Sequence, residues 1–172
     1  MEDAVTGALN GQTVTVFCSN DYLGLAQHPD VQSAYRGAGA GASRLISGNR
    51  PAHEALEERL SELYGRPATL FSSGYHANLA LMSTVVGKGD LVASDALNHA
   101  SLIDGLRLSG ADRQILSHGC PSTIREGTQM VVVEGVYSMD GDVLNLAAYE
   151  GSHWLAVDEA HGFGVLGPRG LG

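Results

Sequence analysis

The sequence predicts an α/β fold: a mostly parallel sheet flanked by helices. Three observations carry that expectation. Short apolar runs at 68–71, 91–93, 130–133 and 154–157 alternate with stretches long enough for helices. The runs are continuously apolar rather than alternating, the pattern of strands covered on both faces. Glycine is abundant, 23 of 172 residues, which suits many tight turns and close backbone approaches.

Residues 1–14 read as a polar lead-in, and 14–17 as a short strand. Ser19-Asn20-Asp21-Tyr22-Leu23-Gly24-Leu25 is turn-rich, and Pro29 suits the first turn of a helix beginning near His28. Residues 37–49 form a flexible glycine-rich loop. The clearest helix follows: Pro51 opens it, Leu56, Leu60 and Leu63 share one face, and Gly65 stops it. Glu54, Glu57 and Glu58 are expected to face solvent. The strand at 68–71 leads into a helix through about Val86, and the strand at 91–93 into a helix through about Leu108. The runs at 130–133 and 154–157 supply two more strands.

Composition narrows the function. At 44% hydrophobic and 17% charged, the chain is ordinary globular material of about one domain. A net charge of −9 opposes a phosphate-backbone binder, so no nucleic-acid partner is expected. No apolar run approaches the roughly 18 to 20 residues that span a membrane, and the first residues lack the pattern of a signal peptide. Cys18 and Cys120 make neither a metal spacing nor a disulfide framework, which fits a cytoplasmic protein.

Each apolar strand runs into a polar cluster: Ser72-Ser73-Gly74-Tyr75-His76; Ser94-Asp95 with Asn98-His99; Glu134 with Ser138-Met139-Asp140-Gly141-Asp142; and Asp158-Glu159-Ala160-His161-Gly162. Ligands of open parallel sheets bind outside the carboxyl ends of the strands, so four clusters together point to one crevice. Ser72-Ser73-Gly74 is either a hydroxyl helix cap or a phosphate site at a helix start. Asp158 is either a cap or a partner for a protonated heterocyclic nitrogen or a metal. His161, three residues on, could meet the same ligand. His99 is either a satisfied polar residue at a helix start or an aromatic platform under a ring. Asp158-Glu159-Ala160-His161 also spells a helicase box. That reading requires G-x-x-x-x-G-K-[ST], whereas the one lysine, Lys88, lies in Val86-Gly87-Lys88-Gly89-Asp90. Gly37, Gly39 and Gly41 follow no strong strand and make no dinucleotide fingerprint.

Taken in order, these segments resemble the α-oxoamine synthases. They are the 19–25 turn, the Gly-Ala-Gly-Ala-Gly-Ala-Ser-Arg loop at 37–44, Phe71-Ser72-Ser73-Gly74-Tyr75, the 94–101 stretch, the 134–142 stretch and Val157-Asp158-Glu159-Ala160-His161-Gly162. The resemblance covers about residues 14–172. It implies part of the large cofactor-binding domain of fold-type I, aminotransferase-like enzymes dependent on pyridoxal 5'-phosphate (PLP). Residues 1–50 would be an N-terminal segment with a substrate loop, and 51–172 a partial large domain without its C-terminal part or the small domain. The implied reaction joins an amino acid to an acyl thioester, delivered on CoA or a carrier protein, with loss of CO2. Two stretches, 73–78 and 129–136, resemble members using L-alanine and a pimeloyl thioester. The stretch 94–101 also resembles members using glycine and acetyl-CoA.

The resemblance implies roles by position. Ser73, Gly74 and Tyr75 would hold the cofactor phosphate, with Tyr75 near the ring. His99 would stack on the ring, and Asp158 would pair with its pyridinium nitrogen. His161 and Ser138 would meet the 3-oxygen region. Asn20 and Glu134 would lie in the substrate pocket. A homodimer is implied. The family attaches its cofactor to a lysine in a later motif, beyond Gly172, and Lys88 has no such motif around it. The stretches 33–35, 117–128 and 147–153 are contracted, the last two too short for crossover helices. The sequence thus reads as ordered segments of a longer polypeptide with connectors removed.

Overall fold

The structure, a computed structural model, describes residues 5–35, 37 and 39–172. Residues 1–4 of the lead-in and Ala38 of the glycine-rich loop lie outside the described residues. The chain forms two units, Met1–Ala68 and Thr69–Gly172.

The first unit opens with an antiparallel hairpin, β1 (Thr6–Leu9) and β2 (Gln12–Thr15), in which Leu9 faces Gln12. Asn10 and Gly11 join them, both with positive φ (52° and 80°). A two-residue turn of that kind matches the twist of the flanking strands, and Asn-Gly is its favoured pair. Residues 6–14 of the lead-in therefore make up nearly the whole hairpin, and the strand expected at 14–17 ends at Thr15, leaving Phe17 93% exposed. The Asp21 carboxylate accepts from the Leu25 and Ala26 amides and caps the short turn Leu25–Gln27. Helix α1 (Pro29–Ser33) starts at Pro29 as expected, with the His28 ring accepting from the Asp30 amide. Within the glycine-rich segment, Arg44–Gly48 coils so that the amides of Ile46, Ser47 and Gly48 all donate to the Ser43 carbonyl.

Helix α2 (Pro51–Tyr64) runs from the expected proline to Gly65, whose φ of 64° ends it. Glu57 departs from expectation. It does not face solvent freely but accepts two bonds from the Arg44 guanidinium, at 2.7 and 2.9 Å. Such a bidentate pair ties the coiled segment to the helix.

In the second unit, β3 (Leu91–Asp95), β4 (Asp112–Leu116), β5 (Met130–Glu134) and β6 (Trp154–Asp158) form a parallel sheet in the order β4-β3-β5-β6. Helices α3 (Gly74–Val85) and α4 (Ala100–Ser109) accompany it. Two expectations change. Residues 68–71 belong to neither sheet, and Phe71 is 47% exposed. Conversely, β4 is a strand without an apolar run. It lies at the sheet edge and buries only Gln114 and Leu116, so its sequence alternates.

Period-two alternation divides the core. Val92, Met130, Val132 and Ala156 pack with Met82 of α3, Val86 just after it, and Leu102 and Leu106 of α4. Ala93, Val131 and Val133 face the other way, against Tyr149 and the connector residues Ile124, Leu144 and Leu146. The second face is therefore covered by connectors containing only single 3-10 turns, Pro121–Thr123 and Leu146–Tyr149. This matches the contraction expected at 117–128 and 147–153. The same alternation places Glu134 and Asp158 on the helix side and Asp95 on the connector side.

Candidate active site

Strand register brings the carboxyl ends together, with Glu134 beside Asp158 across β5 and β6. A cleft of about 330 Å³ opens there. Gly74, Tyr75, His99, Glu134, Asp158 and His161 line it, joined by Asn78 and Ser101. The sheet ends, the start of α3 and the start of α4 thus converge on one space, as the four polar clusters predict.

Ser73 caps α3, its hydroxyl accepting from the His76 amide at 3.2 Å and bonding the His76 ring at 3.1 Å. Gly74 and Tyr75 follow as the first helical residues, whose amides have no acceptor within the helix. A Cβ at Gly74 would meet nothing within 4 Å, so the helix start faces open space. The Tyr75 hydroxyl donates to Asp104, and that carboxylate holds the phenol above its ordinary range. Its ring stands edge-on to His99, with centroids 6.2 Å apart.

Asp158 is anchored through both oxygens. Oδ1 accepts from the Ala160 amide at 2.9 Å, and Oδ2 from the Asn78 side chain at 2.7 Å. It closes a turn at the end of β6 rather than capping a helix. His99 is the cap residue of α4, its Nδ1 accepting from the Ser101 amide, while the ring lines the cleft. His99 is thus a satisfied residue at a helix start whose ring also borders the cleft. His161 lines the cleft on the segment after β6.

Ser138 lies in an adjoining cavity of about 240 Å³ that shares His99 and Glu134 with the first. Asn20 is exposed in the first unit, on the turn that leads to the Asp21 cap. Lys88 stands in the turn before β3, at the amino end of the strand and so at the opposite end of the sheet from the cleft.

Glu134 is buried and accepts from the His99 amide. Burial pushes its carboxyl above the ordinary 4.5, the His99 amide opposes this, and the Asp158 charge adds to it. A carboxylate raised on folding contributes stability that is complete below 4.5 and lost as pH rises through the folded value. Glu134→Gln mimics the protonated form at every pH. It is expected to stabilise the chain by about 1 kcal/mol at pH 7 and to give no gain below pH 4.5, read by urea unfolding at the two pH values. An equal effect at both would show that Glu134 is not desolvated.

Sequence reasoning passed over several residues that build this site. Asn78 and Ser101 bond to each other and to Asp158 and His99. Buried Asn98 donates to Ser94 and to the Val132 carbonyl, locking β3 to β5, and accepts from the Tyr137 hydroxyl. On the connector side, His118 lies between Asp95 (2.9 Å) and Asp142, under the Tyr137 ring. Asn78 and Ser101 stood within quoted motifs, and their spacing from the helix caps was the available signal. No group of three or more metal-ligating side chains forms among the described residues, and no helix among them is long and apolar enough to cross a membrane.

Known proteins are similar to this chain in sequence and fold. The family described as aminotransferase class I and II matches residues 12–171. The 8-amino-7-oxononanoate synthase of Methylococcus capsulatus is 49% identical, over 95% of this chain and 47% of that protein. Among solved structures, serine palmitoyltransferase from S. paucimobilis with bound PLP-myriocin aldimine superposes with a TM-score of 0.88 at 31% identity, over 99% of this chain and 49% of that one. The 8-amino-7-oxononanoate synthase of Francisella tularensis does so with a TM-score of 0.76 at 33% identity, over 90% and 47%. The chain thus spans about half the length of the curated relatives it matches. The first alignment extends over 183 positions, more than this chain's 172 residues, so the relative has residues with no counterpart here.

Proposed function

Because the chain belongs to the aminotransferase class I and II family, we propose that it forms the cofactor-binding part of a PLP-dependent α-oxoamine synthase. The reaction favoured is that of 8-amino-7-oxononanoate synthase in biotin biosynthesis, supported by relatives of that name at nearly half identity. In it, L-alanine loses its carboxylate as CO2, its α-carbon bonds to the acyl carbon of pimeloyl-CoA or a pimeloyl carrier protein, and the thiol leaves. The runner-up is glycine C-acetyltransferase, with glycine and acetyl-CoA. In the same reading the protein works as a cytoplasmic homodimer.

One observation carries the proposal: a carboxylate held at the end of β6 faces, across one cleft, a helix start with free amides and a histidine ring. These residues fit the cofactor. When bound, PLP supplies an electron sink for the carbanion at the amino-acid α-carbon. The amides of Gly74 and Tyr75, beside the Ser73 cap, hold the phosphate at the positive end of α3. Asp158 would keep the ring nitrogen protonated, His99 would lie against the ring, and His161 and Ser138 would serve its 3-oxygen region. Glu134 bears on the substrate. Lys88 stands at the wrong end of the sheet to attach the cofactor. The same placement of Lys88 favours one further reading, a lysine-less subunit that binds without reacting.

The test uses pyridoxamine 5'-phosphate, which cannot condense with Lys88. Saturable binding is expected, weakened about a hundredfold by Asp158→Ala, as for loss of a charge-paired contact. Absence of saturable binding, or binding indifferent to Asp158, overturns the reading. Condensation of L-alanine with pimeloyl-CoA by a polypeptide supplying the lysine, read as thiol release, separates the synthase from the non-catalytic subunit.

A further inference from the structure

We propose that Asn78 is a positioning residue that couples the cleft's carboxylate to its histidine ring. Asn78 uses both hydrogens of one amide nitrogen, one to Asp158 Oδ2 at 2.7 Å and the other to Ser101 Oγ at 2.9 Å. The Ser101 hydroxyl, having accepted there, directs its own proton to His99 Nδ1 at 2.7 Å. Nδ1 also accepts from the Ser101 amide at 3.3 Å. The lone pair of the ring is therefore on Nδ1 and its proton on Nε2. Asn78 donates in both directions, and the chain ends in an acceptor on each side.

The polarity restricts what can stand at position 78. A carboxylate would repel Asp158, a hydroxyl has only one proton to give, and an apolar side chain would leave two groups unserved. Helix packing makes the bonds possible. Asn78 and Met82 lie four residues apart on α3, opposite Ser101 and Gly105, four apart on α4. A Cβ at Gly105 would come within 3.0 Å of the Asn78 carbonyl and 2.8 Å of the Met82 Cβ, so the helices approach closely one turn from where the relay crosses.

The hydrogen-bond relay stands on this geometry alone; only its consequence rests on the cofactor reading above. There, Asp158 and His99 bear on the same ring, and Asn78 sets the orientation of both without touching it. A bound ring then meets two groups already aimed, and loses affinity when either is free to rotate.

The experiment has two readouts on the full chain. Nitrogen-15 correlation of the His99 ring, without cofactor, is expected to show the Nε2–H tautomer in the parent and in Ser101→Thr. In Ser101→Ala and Asn78→Ala it is expected to show a mixture of tautomers. The dissociation constant for pyridoxamine 5'-phosphate is expected to rise about tenfold in Asn78→Ala, the scale on which such supporting contacts act. A merely structural Asn78 would lower the melting temperature without moving the tautomer of the folded protein. Should Asn78→Ala not fold, Ser101→Ala carries the same tautomer test. A ring that keeps Nε2–H in both alanine variants overturns the relay. A tautomer shift in a chain that binds no pyridoxamine phosphate keeps the relay and removes the cofactor reading. A tautomer shift with unchanged binding, where Asp158→Ala still weakens it, overturns the coupling.

Discussion

Replacing His118 with alanine is expected to cost the folded chain about 3 kcal/mol at pH 6, the range found when one partner of a buried ion pair is removed. The Asp95 side chain is wholly buried. It accepts from the amides of Leu97 (2.9 Å) and Gly119 (3.1 Å), and the His118 ring supplies its counter-charge. Both ring nitrogens face carboxylates, so both carry protons and the ring is an imidazolium. Asp95 raises the His118 pKa above the ordinary 6.5 and Asp142 adds to this, against burial. A histidine raised on folding contributes stability that is complete below 6.5 and lost as pH rises through the folded value. His118 in turn depresses Asp142 below 3.8, a contribution present above that pH and lost as pH falls through the folded value. The gap between parent and His118→Ala is therefore widest between 3.8 and 6.5 and narrows on either side. Urea unfolding across pH 3 to 9 reads it. A gap independent of pH would mean that the ring acts as a neutral hydrogen-bonding group, contrary to its two carboxylate partners.

Gly105→Val is expected to lose a comparable amount, about 2–3 kcal/mol, by overpacking. The added Cβ would lie 2.8 Å from the Met82 Cβ and 3.0 Å from the Asn78 carbonyl, close to or on the backbone of α3, where little can yield. Gly105→Ala separates sterics from propensity. In an exposed helix it would gain about 1 kcal/mol; here the same contact is expected to turn the gain into a loss, read by urea midpoint. Because the clash falls on Asn78 itself, either variant should also weaken pyridoxamine phosphate binding. A more stable Gly105→Ala with intact binding would show that α3 and α4 separate freely and that their spacing does not set the site.

The strands β3, β5 and β6 and the helices α2, α3 and α4 were legible because each carries its own signal: an apolar run, a proline or cap at the start, a glycine at the end. Edge strand β4 was not, since half of it faces water and its composition is that of a loop. The run at 68–71 misled for the opposite reason, being apolar yet outside both sheets. The Asn10-Gly11 turn was legible and was passed over.

Local chemistry therefore determined which residues end the strands and cap the helices, and with them the candidates Gly74, His99, Glu134 and Asp158. Tertiary structure alone decided which of these meet. Strand order and register put Glu134 beside Asp158, and the approach of α3 to α4 put Asn78 between Asp158 and Ser101. Alternation turned Asp95 away to the far face, where it holds His118. The residues of each bond are distant in the chain, Asn78 and Asp158 by 80 positions. Capping and periodicity act over one or two turns of backbone, whereas such bonds depend on how whole elements pack.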